Sequence, residues 1–317
     1  MSVSQAAKAD IYLLIVTVLA AVSWIFSKEA VLLMPPLLFM AMRFLLAGLI
    51  LAGIGIDQLY RLNARQWLRS ARVGMVFAAG MCLWIMGLHF GHHIGEGGFL
   101  TSLGIVLVPV MGRLVFREIV PTSTWVALPI ALIGLAFISL EGGFNTEPGQ
   151  LFFIAAAMVF ALFYTMNTRA ANHREVVNAD GELTLVDRVP ALPLTAIVML
   201  CVGLVATVLT MLLEPWQQTV INFSGAMAGW VIASAVIGSA ARFLLQTHAQ
   251  SLSKHSHGVV IMVVEPVWIV LFAFAWFGER MTPVQGVGCA LIFAALLVSR
   301  RAMLMRWLAG LRRPNQA

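Results

Sequence analysis

The chain has 317 residues, of which 61% are hydrophobic and 11% charged, and its mean hydropathy is +0.92. Soluble domains carry about 25% charged residues, so this composition excludes an ordinary soluble enzyme and indicates a protein of the lipid bilayer. The net charge of +6 does not indicate a nucleic-acid partner, because the basic residues are concentrated between apolar runs, at the membrane surface.

Ten apolar runs follow one another, and a membrane-spanning helix needs roughly 20 residues. The runs cover residues 11 to 27, 37 to 56, 73 to 90, 98 to 116, 124 to 140, 151 to 166, 190 to 213, 226 to 246, 258 to 278 and 284 to 299. The first run could be a signal peptide, but Trp24 and Phe26 crowd its end and no small-residue cleavage site follows. We therefore predict an all-α integral membrane protein with ten transmembrane helices.

The basic residues of the connections fall mostly on one side if the N-terminus is cytoplasmic. On that side lie Lys8, Arg61, Arg65, Arg69, Arg72, Arg113, Arg117, Arg169, Arg174, Arg188, Lys254, Arg300, Arg301, Arg306, Arg312 and Arg313. The opposite connections contain Lys28 and Arg280, while Arg43 and Arg242 fall inside helices. The positive-inside rule then predicts that both termini are cytoplasmic.

Two of the cytoplasmic connections have a distinct composition. The arginines between residues 61 and 72 recur at helical spacing, which predicts a short helix on the inner surface, facing anionic lipid. The connection from Asn172 to Arg188 mixes both charge signs and contains a turn signal, Asp180-Gly181, so we predict a solvated loop. It has no glycine-rich phosphate cradle, which disfavours an ATP-driven pump.

The three cysteines lie within apolar runs and show no metal-ligand spacing. They are Cys82, Cys201 and Cys289. We interpret them as small buried hydrophobic side chains, and the sequence predicts no metal and no cofactor.

The chain repeats itself when it is shifted by 161 residues. Gly97 then aligns with Gly258, Phe116 with Phe277 and Glu118 with Glu279. An odd number of helices in each copy makes the second copy enter the membrane from the opposite side, as in transporters with inverted repeats. We predict a first five-helix repeat at 1–146 and a second at 147–317, with a basic tail from about 300.

Several stretches together resemble the EamA-type drug/metabolite transporters. They are GFLTSLGIVLVPVMGRLVFRE from Gly98 to Glu118, VVEPVWIVLFAFAWFGE from Val263 to Glu279, Arg43, and Gln246 with Ala249-Gln250. The resemblance covers nearly the whole chain, in two copies. It implies ten helices in two inverted halves, a central cavity, and export of small metabolites or drugs across a bacterial inner membrane.

The residue pair Glu265 and Arg242 is the first candidate site. An acidic residue near the middle of a membrane helix costs about 2.5 to 3.5 kcal/mol, so Glu265 must have a partner or a task. The runs that contain the two residues form a hairpin with its loop near residues 250 to 257, which places both side chains at a similar depth. The pair could fix the hairpin or bind a substrate or a proton.

Three other charged groups leave two interpretations each. Arg43 could extend to the outer surface as an anchor or act at a gate or site. Glu118 and Glu279 end equivalent helices, and either could brace the following helix or touch the substrate; we favour bracing.

A histidine-rich stretch lies before the fourth run. His89, His92, His93 and Glu96 fall on one stripe if the stretch is helical, and such a set could bind zinc. However, Gly91, Gly95, Gly97 and Gly98 weaken a helix there, so we favour a solvated outer loop.

The remaining candidates are cavity-lining side chains and helix hinges. The aromatic candidates are Trp24, Trp84, Tyr164 and Trp268, the polar ones Asn167 and Gln246, and the hinges Pro109 and Pro266. Each proline removes one backbone hydrogen bond where a helix must bend.

Two classes of function remain open. The leading one is a proton-coupled secondary transporter, monomeric or homodimeric, that exports an amino-acid-like metabolite or a drug. The alternatives are a membrane-embedded lipid-modifying enzyme, which would use the histidine-rich stretch, and a lipid-linked sugar flippase.

Overall fold

The computed structural model describes residues 5–90, 94–139, 148–177, 183–253, 256–277 and 282–299. Its helices are α1 (Gln5–Val31), α2 (Pro36–Ile54), α3 (Ile56–Tyr60), α4 (Ala64–Phe90), α5 (Ile94–Phe116), α6 (Thr122–Ser139), α7 (Pro148–Ala171), α8 (Ala191–Leu213), α9 (Trp216–Ile221), α10 (Gly225–Ala233), α11 (Arg242–Ser251), α12 (Glu265–Phe277) and α13 (Pro283–Ser299). A π-helical segment, Ser234–Ala241, joins α10 to α11, and a 3₁₀ segment, Ser256–Val264, precedes α12.

Each of the ten apolar runs overlaps a helical segment of the described residues. Six helices of the described residues are long and apolar enough to cross a membrane: Ala7–Val31, Pro36–Ile54, Ala64–Phe90, Pro148–Ala171, Ala191–Leu213 and Gly225–Ser251. Four shorter apolar helices are Leu100–Phe116, Thr122–Phe137, Gly258–Ile269 and Gly286–Ser299. The protein is therefore a helical, multi-pass membrane protein, and crossings by the four shorter helices stay a prediction.

The connection between α7 and α8 differs from the predicted loop. It contains an antiparallel hairpin of β1 (Arg174–Val177) and β2 (Leu183–Val186), with Arg174 opposite Val186. Valine and threonine favour extended backbone, and Asp180-Gly181 provides a turn signal between the strands, although its residues lie outside the described ones. The fold is helical as predicted, and the hairpin replaces the irregular loop that the sequence predicted for this connection.

The basic segment also differs from the prediction of a separate surface helix. Arg65, Arg69 and Arg72 lie in the first turns of α4, which continues without a break into the apolar part of that helix. Arg69 Nη1 donates a hydrogen bond to the Asp187 carbonyl, and Gln66 Nε2 donates to the Arg188 carbonyl. These bonds tie the start of α4 to the chain that follows the hairpin.

The helices of the two halves pack in reciprocal pairs. Helices at the same place in the two predicted repeats meet each other, because α2 packs on α8 and α6 packs on α13. Other contacts come in pairs, in which each helix is replaced by the helix at the same place in the other half. The contact of α4 with α7 corresponds to that of α11 with α1, and the contact of α5 with α7 corresponds to that of α12 with α1. A pseudo-two-fold axis would produce this pattern if the chain consists of the two predicted repeats, which stay a prediction.

The pair of α2 and α8 approaches closely at two glycines. A Cβ on Gly48 would lie 2.9 Å from the Leu200 backbone nitrogen, and a Cβ on Gly203 would lie 2.7 Å from the Leu45 backbone nitrogen. Small residues let membrane helices pack tightly through van der Waals contact. Each helix thus provides a glycine that accommodates a leucine of the other.

The N-terminus of α2 is capped by a residue of the other half. Both oxygens of the Glu214 carboxylate, which follows α8, accept hydrogen bonds of 2.8 Å from the backbone N–H groups of Leu37 and Leu38. Pro35 precedes the helix and gives it no side-chain cap. The carboxylate also favours the positive end of the helix dipole, so Glu214 fastens the two halves together at this end.

The two predicted hinge prolines lie in different surroundings. Pro109 is inside α5, as predicted. Pro266 is the second residue of α12 and follows the 3₁₀ segment. The first N–H groups of a helix have no partner in the helix, so Pro266 fits the first turn of α12, where the sequence predicted an interruption within a longer helix.

Candidate functional site

A cavity between the two halves contains most of the predicted site residues. Its walls come from α1, α2, α4 and α5 of the first half and from α7, α11 and α12 of the second. The charged and hydroxyl-bearing lining residues are Ser23, Arg43, Thr101, Ser102, Arg242 and Glu265, with Tyr164 among the aromatic ones. The remaining lining residues are Trp24, Phe77, Met81, Trp84, Ile105, Phe160, Phe243 and Ile269.

Glu265 lies at the first position of α12 with its carboxylate in the cavity. Its Oε1 accepts a hydrogen bond of 3.1 Å from Trp24 Nε1, and its Oε2 is 3.7 Å from Arg242 Nη2. The side chain is buried, and the N-terminal end of α12 adds a favourable dipole. The predicted pairing of Glu265 and Arg242 is present, and Trp24 completes the group.

Arg43 is fully buried and does not extend to the surface. Its Nε donates to Ser239 Oγ at 2.6 Å, Nη1 to Ser27 Oγ at 2.8 Å, and Nη2 to Ser23 Oγ at 2.7 Å and to the Gly238 carbonyl at 3.0 Å. These partners belong to α1 and to the π-helical segment. The anchoring interpretation is therefore wrong, and Arg43 joins three elements beside the cavity.

The aromatic side chains form most of the remaining wall. Trp24 and Trp84 meet edge to face, with ring centroids 4.9 Å apart and an interplanar angle of 83°. Phe77 contacts Phe243 in a similar way, at 5.0 Å. A largely apolar wall with a few polar groups is typical of small-molecule sites.

Two buried polar atoms of the wall have no hydrogen-bond partner. They are Thr101 Oγ1 and Arg242 Nε. Leaving a buried donor or acceptor unpaired costs about 1 to 3 kcal/mol, so both atoms indicate a place where water or a ligand binds. The free volume for water-sized molecules is about 40 Å³, room for roughly three waters, so a larger ligand requires the helices to separate.

The predicted polar residues Asn167 and Gln246 lie outside the cavity wall. Asn167 Nδ2 donates to Thr247 Oγ1 at 3.1 Å and to Gln250 Oε1, which joins α7 to α11. Gln246 is fully buried one turn beyond Arg242, and neither of its amide atoms has a partner. Trp268 is also outside the wall, and its Nε1 donates to Thr17 Oγ1 at 2.9 Å.

The histidine-rich stretch is only partly described. His89 is exposed in the last turn of α4, and α5 already begins at Ile94, so the described parts of this stretch are helical and not a loop. His92 and His93 lie outside the described residues. No group of three metal-binding side chains occurs within the parts of the chain that the structure describes.

Of the two carboxylates predicted to brace helices, one is described. Glu118 lies after α5, and its Oε1 is 3.3 Å from Arg169 Nη1 of α7. The Arg169 guanidinium also lies 4.5 Å above the Phe116 ring. Glu118 thus ties two helices together outside the cavity, whereas Glu279 lies outside the described residues.

Several residues of the site were not among the candidates predicted from the sequence. Ser23, Ser27 and Ser239 hold Arg43, and Phe77 and Phe243 form part of the wall. Serine at positions 23 and 27 is one helical turn apart, which would have marked a polar face of an otherwise apolar helix. The phenylalanines resemble the lipid-facing ones in the sequence.

Comparison with known proteins identifies the family. The model of the EamA-like transporter family matches residues 7–140 and, separately, residues 147–301. The chain belongs to this family. The resemblance predicted from the sequence is thereby confirmed, and the membership favours a transporter over an enzyme.

Individual relatives of this EamA-like protein are distant. An uncharacterized transporter of Archaeoglobus fulgidus is 22% identical over 227 residues, 72% of this chain and 67% of the relative. A second from the same organism is 23% identical over 199 residues, 58% of this chain and 59% of the relative. A protein of known crystal structure has a TM-score of 0.74 at 18% identity, covering 95% of this chain and 99% of its own, which shows a shared fold.

Proposed function

We propose that this protein is a secondary transporter that exports a small, partly apolar metabolite, such as an amino-acid-like molecule, or a drug by alternating access. The observation that carries the proposal is the group of Glu265, Arg242 and Trp24, which brings residues of both halves together inside one cavity. Charges inside a membrane protein commonly mark a substrate or proton pathway. A transporter with inverted halves binds its substrate between them.

The proposed architecture has ten transmembrane helices in two inverted repeats, 1–146 and 147–317. The two separate matches to the family and the reciprocal packing of the helices support it. The protein would lie in a bacterial inner membrane, as a monomer or homodimer, with both termini and the β1–β2 hairpin in the cytoplasm. The arginines at the start of α4 would then face anionic lipid.

Proton coupling is assigned to Glu265. Its side chain is the one carboxylate among the described residues of the cavity wall, and it contacts both Arg242 and Trp24. A proton on Glu265 would weaken the contact with Arg242 and free this part of the wall. Substrate binding and proton binding therefore involve the same three side chains, those of Glu265, Arg242 and Trp24.

Counterflow in proteoliposomes tests the proposal. Vesicles loaded with an unlabelled amino acid should accumulate the labelled one, and an imposed pH gradient should change the rate. Glu265→Gln should fold and yet transport at least about tenfold more slowly, which corresponds to a rise of about 1.4 kcal/mol in the free-energy barrier to transport. The control is Glu118→Gln, which removes a carboxylate paired with arginine outside the cavity.

The control variant should transport like the wild type. Wild-type rates in Glu265→Gln, measured on protein with an unchanged thermal transition in detergent, would reduce the pair to a structural contact.

A further inference from the structure

The described wall of the cavity carries more positive than negative charge. Arg43 and Arg242 contribute two guanidinium groups, and Glu265 contributes one carboxylate. Arginine stays protonated in proteins, so the excess persists whether Glu265 is ionised or protonated. An uncompensated cation in the low dielectric of a membrane protein attracts an anion strongly.

Arg43 is a fixed source of this charge. Four hydrogen bonds hold its guanidinium, and each acceptor is a serine hydroxyl or a backbone carbonyl. These partners are neutral, and no carboxylate is within ion-pair distance of Arg43 among the residues that the structure describes. The position of Arg43 is therefore set, and its positive charge is not cancelled.

Arg242 is the adaptable cation. Its contact with Glu265 is long, at 3.7 Å, and its Nε is buried without a partner. Its guanidinium lies 4.6 Å above the Phe243 ring, which is a weaker contact than a paired carboxylate. A planar guanidinium with free donors binds a carboxylate through two parallel hydrogen bonds, and the unpaired hydroxyl of Thr101 lies in the same cavity.

We propose that the cavity is selective for an anion: a small molecule with an aromatic or apolar body and a carboxylate that binds Arg242 in the field of Arg43. This inference rests on the proposed transport function and specifies its substrate class. Trp24, Trp84 and Phe160 would contact the apolar body.

Glu265 is then an internal competitor of the substrate. Its carboxylate occupies Arg242 when the cavity is empty, and the substrate carboxylate displaces it. The other charged or ionisable groups around Glu265 are Arg43 and Tyr164, from α2 and α7. Removing the charge of Glu265 should therefore tighten the binding of anions while it slows transport, because the group that releases the substrate is lost.

The test is a series of ligands that share one phenylpropyl body and differ in charge at pH 7.5. The probes are 3-phenylpropanoate as the anion, its amide as the neutral form, 3-phenylpropylamine as the cation and phenylalanine as the zwitterion. Binding to the full-length protein in detergent is measured by calorimetry, and exchange is measured by counterflow. We expect the anion to bind at least about tenfold more tightly than the amide, and the amine to bind most weakly.

Three variants separate charge from structure. Arg242→Gln should reduce the preference for anion over amide to less than about threefold, and Glu265→Gln should bind the anion several-fold more tightly than the wild type. Arg169→Gln is the matched control, since it removes an arginine that is paired with a carboxylate outside the cavity, in the last turn of α7, and it should keep the wild-type preference.

The outcomes separate the two proposals. If the amine or the zwitterion binds as tightly as the anion, or if Glu265→Gln weakens anion binding, the anion inference is wrong while transport stands. If Arg242→Gln keeps the preference, the assignment to Arg242 is wrong. If the protein binds and exchanges none of the four probes, both proposals fall for this class of molecule.

Discussion

At the scale of single residues, Arg43 shows how a cation is kept inside a membrane protein without a carboxylate. A charged residue at the centre of a membrane helix costs about 2.5 to 3.5 kcal/mol on insertion scales, and a hydrogen bond from a charged group contributes about 1.5 to 3 kcal/mol. Four such bonds can offset the cost. Gly238 makes this possible, because a Cβ there would lie 2.6 Å from Ser23 Oγ.

We predict that Arg43→Lys lowers the stability of the protein although the charge is retained. An ammonium group has three donors at one point, so lysine cannot reach Ser27, Ser239 and the Gly238 carbonyl at once. At least one buried acceptor is left unpaired, at about 1 to 3 kcal/mol, and the thermal transition in detergent should fall by several degrees. Arg169→Lys, at a partly exposed pair, is the control. An unchanged transition in Arg43→Lys would show that the serines do not depend on the guanidinium fork.

The site residues that could be identified from the sequence are those whose free-energy cost of insertion into the membrane is evident without a structure. Glu265, Arg242 and Arg43 are charges in apolar runs, and the loop position predicted the contact between the first two. Trp24 and Trp84 were candidates because they lie inside runs. The serines around Arg43 and the phenylalanines of the wall could not be assigned, because their roles depend on the rotation of each helix about its axis. Helices that are apolar on all faces contain little information about that rotation.

At the scale of elements, α2 and α8 form a closely packed reciprocal interface. Gly48 and Gly203 each receive a leucine of the other helix, and Glu214 caps the start of α2. In a bilayer, helix association depends on close packing, since lipid is as apolar as leucine. The interface therefore holds the halves together without much polar contact.

We predict that Gly48→Ala and Gly203→Ala each destabilise the protein by about 1 to 3 kcal/mol, the usual cost of overpacking. The added methyl would meet backbone atoms at 2.9 Å and 2.7 Å, which cannot move without shifting a helix. The control is Gly53→Ala in α2, where no atom lies within 4 Å of the added methyl group. Alanine at this position should be neutral or stabilise the helix by up to about 1 kcal/mol. Thermal unfolding in detergent distinguishes the cases. Equal thermal transition temperatures for all three variants would mean that α2 and α8 move apart readily to accommodate the added methyl group.

The apolar runs predicted the positions of the long helices, but the sequence did not predict their internal hydrogen bonding. The π-helical segment Ser234–Ala241 and the 3₁₀ segment Ser256–Val264 are both apolar and read as ordinary helix. In the π-helical segment, the Gly238 carbonyl accepts a hydrogen bond from Arg43 Nη2 of α2, a contact that the sequence does not reveal. The β1–β2 hairpin was missed because its strands are only four residues each, within a connection of mixed charge.

At the scale of the whole molecule, the reciprocal packing connects the sequence repeat to a mechanism. Pairs such as α4 with α7 and α1 with α11 are related by exchange of the halves. If the halves are inverted, the contact of α4 with α7 and the contact of α1 with α11 lie toward opposite sides of the membrane. Opening one set while the other closes then exposes the cavity to one side at a time.

The prolines provide the test of this mechanism. Pro109→Ala would restore one hydrogen bond inside α5, and Pro266→Ala would let α12 extend into the 3₁₀ segment. If α5 and α12 hold equivalent places in two inverted repeats, as the sequence predicts, the two substitutions should bias the transporter toward opposite sides. One hydrogen bond is worth about 0.5 to 1.5 kcal/mol net, so each shift should be about two- to tenfold.

The measurement is the labelling of one reporter cysteine from each face of oriented vesicles by an impermeant reagent. Cys82, Cys201 and Cys289 are first replaced, and the reporter is placed at Ser102 in the cavity wall. Labelling from one face should increase in Pro109→Ala and decrease in Pro266→Ala, with the reverse change at the other face. If labelling shifts in the same direction in both variants, or in neither, the prolines serve packing alone. Inverted halves that exchange roles must respond to equivalent substitutions in opposite directions.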